Sequence, residues 1–302
     1  MSNFLPRYIN VSIGLGLGIL GDLPPPEQTV LSGHRVSVNI QAYGGETFGK
    51  ATVKIYGMTP QLMNQFTAIG PSMSQIKFKN NISISVGTDP KAMSLIFSGL
   101  IAEAFADYNN APEVYFGITA IAELQLALMP STDTVVKDNS LISNIVQDII
   151  KNKAEWSFLN YDVPPSAISA EQTLTGSYIT QVNSILDTAI PRIDRAIDYT
   201  TSPPTFKIKQ WLSAFNAATP KQHVITPKKN MIGYPVYSQS DMTVKSIFIP
   251  DIKMGEIVTV DGSIIPGANG QWLVHSIQHD LESKVINGKW ETILGVNAYG
   301  SN

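Results

Sequence analysis

HVITPKKNMIGYPVYSQSDMTVKSIFIPDIKMGEIVTVDGSIIPGANGQWLVHSIQHDLESKVINGKWETILGV, residues 223–296, is the stretch that decides the architecture. Short runs rich in β-branched and aromatic residues alternate there with turn signals, the pattern of antiparallel strands. MTVKSIFI (242–249) and EIVTV (256–260) are two such runs, separated by Pro250-Asp251 and Lys253-Met254-Gly255. QWLVHSIQHDLES (271–283) puts Trp272, Val274, Ile277 and Leu281 on one face, with a phase slip near Ser276. KWETILGV (289–296) follows Asn287-Gly288, a pair that tolerates positive φ and predicts a two-residue hairpin. Four or five short antiparallel strands result, and a small barrel or sandwich is their natural closure.

Working outward, the same logic covers residues 1–130. RVSVNIQAYG (35–44) alternates Val36, Val38 and Ile40 against polar neighbours, and KATVKIYG (50–57) repeats the pattern with Ala51, Val53 and Ile55. TPQLMNQFTAI (59–69) changes period: Leu62, Met63, Phe66 and Ile69 fall at helical spacing behind the N-cap Thr59 and the first-turn Pro60. Strands are expected again over 81–87, 94–108 and 113–129. Residues 131–215 break the β pattern. SLISNIVQDIIK (140–151) directs Leu141, Ile142, Ile145 and Ile149 to one side of a helix. EWSFLNY (155–161) reads as a strand and Pro164-Pro165 as a loop. GSYITQVNSILDTAI (176–190) is a second helix facing inward with Ile179, Val182, Leu186 and Ala189. RAIDYTTSPPTFKIKQW (195–211) is two strands around Ser202-Pro203-Pro204. The fold class is therefore α+β, mainly β: β domains at 1–130 and 216–302, with a small α/β module at 131–215 inserted between them.

A chain of 302 residues is long enough for two or three domains. Charged residues make up only 15% and the net charge is −3, so no broad electrostatic case exists for binding nucleic acid or an anionic membrane. The absence of cysteine excludes disulfides, thiolate metal sites and a cysteine nucleophile. The apolar run 11–23 is glycine-studded and ends at Pro24-Pro25-Pro26. It is too short and too interrupted to span a bilayer, and it lacks the flanking features of an export signal.

The tempting chemical motifs fail on their mechanics. Gly16-Leu17-Gly18-Ile19-Leu20-Gly21 has the dinucleotide fingerprint spacing, but three prolines deny it the helix whose N-terminus must face the pyrophosphate. Among His34, His223, His275 and His279, the last two are four apart on a strand, about 13 Å, too far to share an ion without a bulge. The carboxylate pairs Glu103/Asp107 and Glu155/Asp162 carry no sign of a cleft, and no GxSxG elbow is present. Lys228-Lys229 is a small solvated cluster. Trp156, Trp211, Trp272 and Trp290 are spread one per segment, as core anchors rather than a sugar platform. No catalytic, cofactor-binding or metal-binding residue is assigned, and the chain is read as a non-enzyme.

One resemblance covers nearly the whole chain. KATVKIYGMTPQLMNQFT (50–67), SLIFSGLIAEAFADYNNAPEVYFGITAIA (94–122), IGYP (232–235), FIP (248–250), MGEIVTV (254–260), NGQWLVHSIQHDLES (269–283) and GKWET (288–292) resemble, in order, the baseplate hub family of contractile-tailed bacteriophages. The resemblance implies two tail-tube-like barrels in one chain, with three chains forming a pseudo-sixfold ring. Such a homotrimer joins a hexameric tail tube to a trimeric central spike and continues the DNA channel, without specific DNA binding or a membrane anchor. Tail tube and spike proteins are the implied partners, with wedge and tape-measure proteins as further candidates. The implied location is the virion baseplate, assembled in the host bacterial cytoplasm. The alternatives are a hexameric tube-initiator or distal tail protein, and a hydrolase or sugar-binding β protein acting at the cell surface. The apolar segment 5–23 is expected either to pack on a neighbouring chain or to cover its own barrel.

Overall fold

The computed structural model describes residues 6–14, 28–43, 47–67, 80–109, 111–129, 131–161, 163, 165–190, 192–198, 205–210, 222–238 and 241–299. The N-terminal part contains β1 (Tyr8–Gly14), β2 (Gln28–Leu31), β3 (Arg35–Tyr43), β4 (Lys50–Tyr56), α1 (Pro60–Phe66), β5 (Asn81–Gly87), β6 (Ser94–Asp107), β7 (Tyr115–Ile121) and α2 (Leu124–Leu128). The middle part contains β8 (Thr134–Val136), α3 (Ile142–Gln147), a π-helical turn (Asp148–Lys153), β9 (Ser157–Tyr161), β10 (Gln172–Leu174), α4 (Tyr178–Leu186), β11 (Ile193–Asp198) and β12 (Thr205–Gln210). The C-terminal part contains β13 (Gln222–Ile225), β14 (Val236–Tyr237), β15 (Met242–Ile247), β16 (Ile257–Val260), β17 (Gly270–Ser283) and β18 (Trp290–Ala298). The fold is mainly β, as expected.

The N- and C-terminal strands share one thirteen-stranded sheet, ordered β14-β15-β18-β17-β3-β4-β7-β6-β5-β1-β2, with β16 and β13 branching from the first half of β17. All of these pairings are antiparallel except β13 with β16. The alternation read from the sequence sets the faces: Val36, Val38, Ile40, Ala51, Val53 and Ile55 are buried, while the residues between them form the opposite face. β1 lies between β2 and β5 in its own chain's sheet, so 8–14 covers its own fold; residues 15–27 lie outside the described set.

The order β3-β4-β7-β6-β5 recurs as β14-β15-β18-β17-β16, and the register recurs with it. Leu100 opposes Asn81 in one set and Leu273 opposes Ile257 in the other. One extra residue follows in each long strand, Ala102 in β6 and His275 in β17. Beyond the bulge, Glu103 faces Thr119 and Ser276 faces Gly295. Thr119 then faces Thr52, which faces Asn39; Gly295 faces Thr243, which faces Val236. The bulge at His275 accounts for the phase slip visible in the sequence, since an added residue flips the inward parity of the strand.

The middle part packs two short helices and two small sheets around Trp156, Ile179, Val182 and Ile185, all buried. The three-stranded sheet pairs β12 antiparallel with β11 and parallel with β9. Gln181 is fully buried on α4, and its amide is used completely. It accepts from Thr134 Oγ1 at 2.6 Å and donates to Thr132 O and Gly176 O at 3.0 and 2.9 Å.

Three local expectations need correction. The run 113–129 is not one strand: β7 ends at Ile121 and α2 follows, where Leu126 is fully buried and Glu123 accepts the Gly49 N–H at 2.9 Å. The helix over 140–151 starts only at Ile142 and widens after Gln147, so Leu141 is exposed and Ile150 joins Ile149 in the core. The wider turn, closed by Ala154 N–H to Ile149 O at 3.0 Å, brings these adjacent side chains inward together. The hairpin before β18 is longer than two residues. Lys284 and Asn287 take positive φ rather than Gly288, at which an added Cβ would meet those of Glu282 and Val285 at 3.0 Å. The α1 reading needs none: Thr59 Oγ1 accepts from Leu62 N, and Met63 and Phe66 are buried.

Candidate functional site

The sheet presents one solvent-facing surface that runs across both strand sets, and its cross-strand rows follow from the register. One row passes from Glu291 on β18, itself buried beside Lys245, through Asp280, Asn39, Thr52 and Thr119 to Glu103 on β6. A second carries Lys245, Ile293, Gln278, Gln41 and Lys50, and a third carries Glu282, Ser37 and Lys54. Basic and acidic groups are mixed and largely engaged. Lys245 Nζ meets Glu291 Oε1 at 2.7 Å, Lys54 lies 4.8 Å over the Tyr115 ring, and Arg35 both bonds Glu113 at 2.9 Å and covers Tyr56. Tyr115 donates its hydroxyl to Asp107 at 2.7 Å; this bond holds the Asp107 carboxyl below the usual carboxylate range and raises Tyr115. The face is polar and close to neutral, without a field of one sign.

The seam between the strand sets is β3 against β17, Tyr43 opposite Ser276 through Val36 opposite Ser283. Asn39 Nδ2 donates to Asp280, which also accepts from Gln278 at 3.2 Å. Ser283 and Lys284 donate to the carbonyls of His34 and Gly33. Arg7 ties the chain start to the far hairpin, donating to Gly288 O at 2.6 Å and lying 5.6 Å from the Trp290 ring centroid.

Beneath the seam lies a cavity of about 40 Å³ lined by Ile40, Ala42, Ile277, Ile197, Met254 and His279, among others. An ion cluster borders it: Asp198 Oδ2 accepts from Lys207 at 3.0 Å and Lys253 at 2.5 Å, tying the middle module to the loop after β15. Burial pushes the His279 imidazole down from 6.5 to about 4, the nearby Asp280 opposing only weakly. Its Nδ1 is 3.0 Å from Thr292 Oγ1, and Phe248 stands edge-on at 5.2 Å.

The residues singled out in the sequence do not converge. His34 Nδ1 lies 3.1 Å from Tyr56 O, His223 lies 3.3 Å from Glu256, and His275 lies 3.4 Å from Asp241. Burial also lowers His275, with Asp241 pulling it back up. Among the described residues no group of three His, Asp or Glu could hold a metal. Asp107 serves Tyr115, and Asp162, Trp211 and the glycines at 16, 18 and 21 lie outside the described residues. Trp156 is a core anchor. Trp272 donates to Ala268 O at 2.9 Å and meets Tyr237 edge-on, and Trp290 packs on Phe248, so neither offers a free sugar-stacking face. What sequence reasoning missed is the seam; its signal was the recurrence of strand order, which needs the pairings to be seen. Among the described residues no helix is long and apolar enough to cross a membrane.

The sheet architecture has relatives of known structure. A component of the Escherichia coli type VI secretion system, c3393, itself described as structurally similar to the T4 tail proteins gp27 and gp5, superposes with a TM-score of 0.61 at 10% identity, covering 88% of this chain and 74% of its own. The 43 kDa tail protein of prophage MuSo2 from Shewanella oneidensis gives 0.60 at 10% identity over 96% of both chains. The Francisella PdpA–VgrG complex gives 0.52 at 9% identity, covering 99% of this chain and 54% of that one. At such identities the likeness is one of fold. No protein of curated function matches the chain in sequence. Residues 11–287 match the family model described as Baseplate hub gp41. With a match across nearly its full length, the chain belongs to the baseplate hub gp41 family, structural proteins of the phage tail.

Proposed function

We propose that this protein is a non-enzymatic hub that assembles as a trimer. Its three pairs of tube-like domains form a pseudo-sixfold ring between the tail tube and the central spike, and DNA passes through the ring's channel. Residues 1–130 and 216–302 are the tube-like domains in this reading, with 131–215 the inserted module. The observation that carries it is the recurrence of one five-strand order, in one register, at both ends of the chain. Two equivalent units per chain turn three chains into six positions, which matches a hexameric tube to a threefold partner. The polar, nearly neutral sheet face suits a channel wall that must not retain a polyanion. The contacts between chains are expected to bury roughly 2,000 Å² or more, the range of obligate assemblies.

Quantitative mass spectrometry of purified particles tests this by counting the chain against the tube protein. Three copies per particle is the expected result. Six copies would make it a hexameric tube initiator instead, and its absence from particles would overturn a structural role.

A further inference from the structure

Resting on the ring-forming reading above, we infer that the outer side of β6 over residues 102–107 receives the β14 edge of a second copy of this chain. The two strands lie antiparallel, with Val236 opposite Asp107 and Tyr237 opposite Ala106.

The recurrence of register supplies this pairing residue by residue. Within the chain, the second half of β17 is covered on one side by β18 and on the other by β3. Its equivalent, the second half of β6, is covered by β7 alone; β5 reaches only to Leu100, and no other described strand pairs there. The equivalent of β3 is β14, which pairs with β15 and presents its other side unpaired among the described strands. One copy therefore carries both halves of a seam it cannot make with itself. β14 and β6 stand seven strand spacings apart along the sheet, about 34 Å at 4.8 Å per strand. Two unlike edges well separated on one molecule make a head-to-tail contact, which closes into a ring when the rotation allows.

Position sets the register. Asp107 stands where Asp280 stands, and Val236 where Asn39 stands; Asn39 and Asp280 face each other across the internal seam. Exposure agrees at both edges. Phe105 and Tyr108 are 40% and 54% exposed, and Tyr234, Val236 and Tyr237 are 60%, 65% and 47% exposed. Bare strand edges carrying aromatic side chains are a liability unless a partner covers them.

The chain contains no cysteine, so paired substitutions report the contact without background. Opposed antiparallel residues lie about 4.5–5.5 Å apart at Cα, within disulfide range. Val236→Cys with Asp107→Cys, and independently Ser238→Cys with Phe105→Cys, are introduced into the hub of whole particles, which are oxidised and run on non-reducing gels. The expected result is a shift of the hub from one-chain bands to species of two and three chains, absent from each single variant. It should also be absent from the offset pair Val236→Cys with Glu103→Cys. Matched pairs that stay uncoupled in particles holding three hub copies would overturn this interface and leave the hub role standing. A ladder beyond three chains would keep the edge pairing and overturn the threefold ring. If neither matched pair assembles, hydrogen exchange on wild-type particles decides. Amides of 103–107 should be protected like their counterparts at 276–280, and rapid exchange there would sink the inference.

Discussion

His279 offers a prediction with a magnitude. The imidazole is buried inside the sheet on β17, against Phe248 and beside the cavity under the seam, whose lining also holds Asp198, Lys207 and Lys253. Thr292 Oγ1 already accepts the Ile249 N–H at 3.0 Å, which leaves its proton available for Nδ1 and suits a neutral ring. Burial lowers the folded-state value to about 4, against 6.5 for a free histidine. The sign follows from proton uptake: between 6.5 and 4 the unfolded chain binds the proton and the folded chain does not. Stability is therefore full above 6.5, falls as pH drops through this window, and levels off below about 4. The gap of about 2.5 pH units, at 1.36 kcal/mol each, amounts to roughly 3 kcal/mol. That is a large share of the 5–15 kcal/mol typical of a domain. Titrating the His279 ring proton by NMR should give a midpoint near 4. Urea unfolding at pH 7 and pH 4 should show the wild type losing about 3 kcal/mol more than His279→Gln, which has no such proton to take up. A ring titrating near 6.5, or equal losses in the two proteins, would refute the reasoning.

Other expectations concern packing and charge. Trp156→Ala should cost roughly 3–5 kcal/mol, read as a lowered urea midpoint, because the indole is buried at the centre of the middle module. Thr59→Ala should cost about 1 kcal/mol by removing the hydroxyl that caps Leu62 N, whereas Thr59→Ser should restore it. Asp198→Ala should destabilise by about 3 kcal/mol by removing the buried carboxylate that Lys207 meets at 3.0 Å, with a lower thermal midpoint as the readout. Gly99→Ala should disturb β6, since an added Cβ would sit 2.9 Å from the Ile121 carbonyl oxygen; crowding of this kind costs typically 1–3 kcal/mol, and an unchanged melting temperature would contradict it.

Most of the sheet was legible because its strands bury one face. Val36, Val38 and Ile40, or Ile82, Ile84 and Val86, announce a period of two that only a half-buried strand needs. The cap at Thr59 was equally plain, since a hydroxyl followed by proline has few other uses. Even the β17 bulge showed as a broken alternation. What stayed hidden depends on distant partners. Leu124–Leu128 is helical because Glu123 and Leu126 find buried neighbours, not because the local string forbids a strand. The Asp198–Lys207–Lys253 cluster joins residues that no local pattern connects. The edges left unpaired among the described strands were invisible for the same reason, since an unpaired strand and a paired one can carry identical alternation.

The internal seam has a consequence for biosynthesis. Asn39 and Asp280 touch across 241 residues of chain, so β3 leaves the ribosome long before β17 exists to cover it. At about 5–20 residues per second, that interval is on the order of 10–50 s. During it, the nascent N-terminal half exposes an alternating edge of nine residues, Arg35–Tyr43, with no strand beside it on that flank. Other nascent copies on the same message offer matching strands. A chain that stalls before residue 270 therefore presents the very edge through which unfinished copies would stick together, and the last strands act as the closing clasp that ends this exposure.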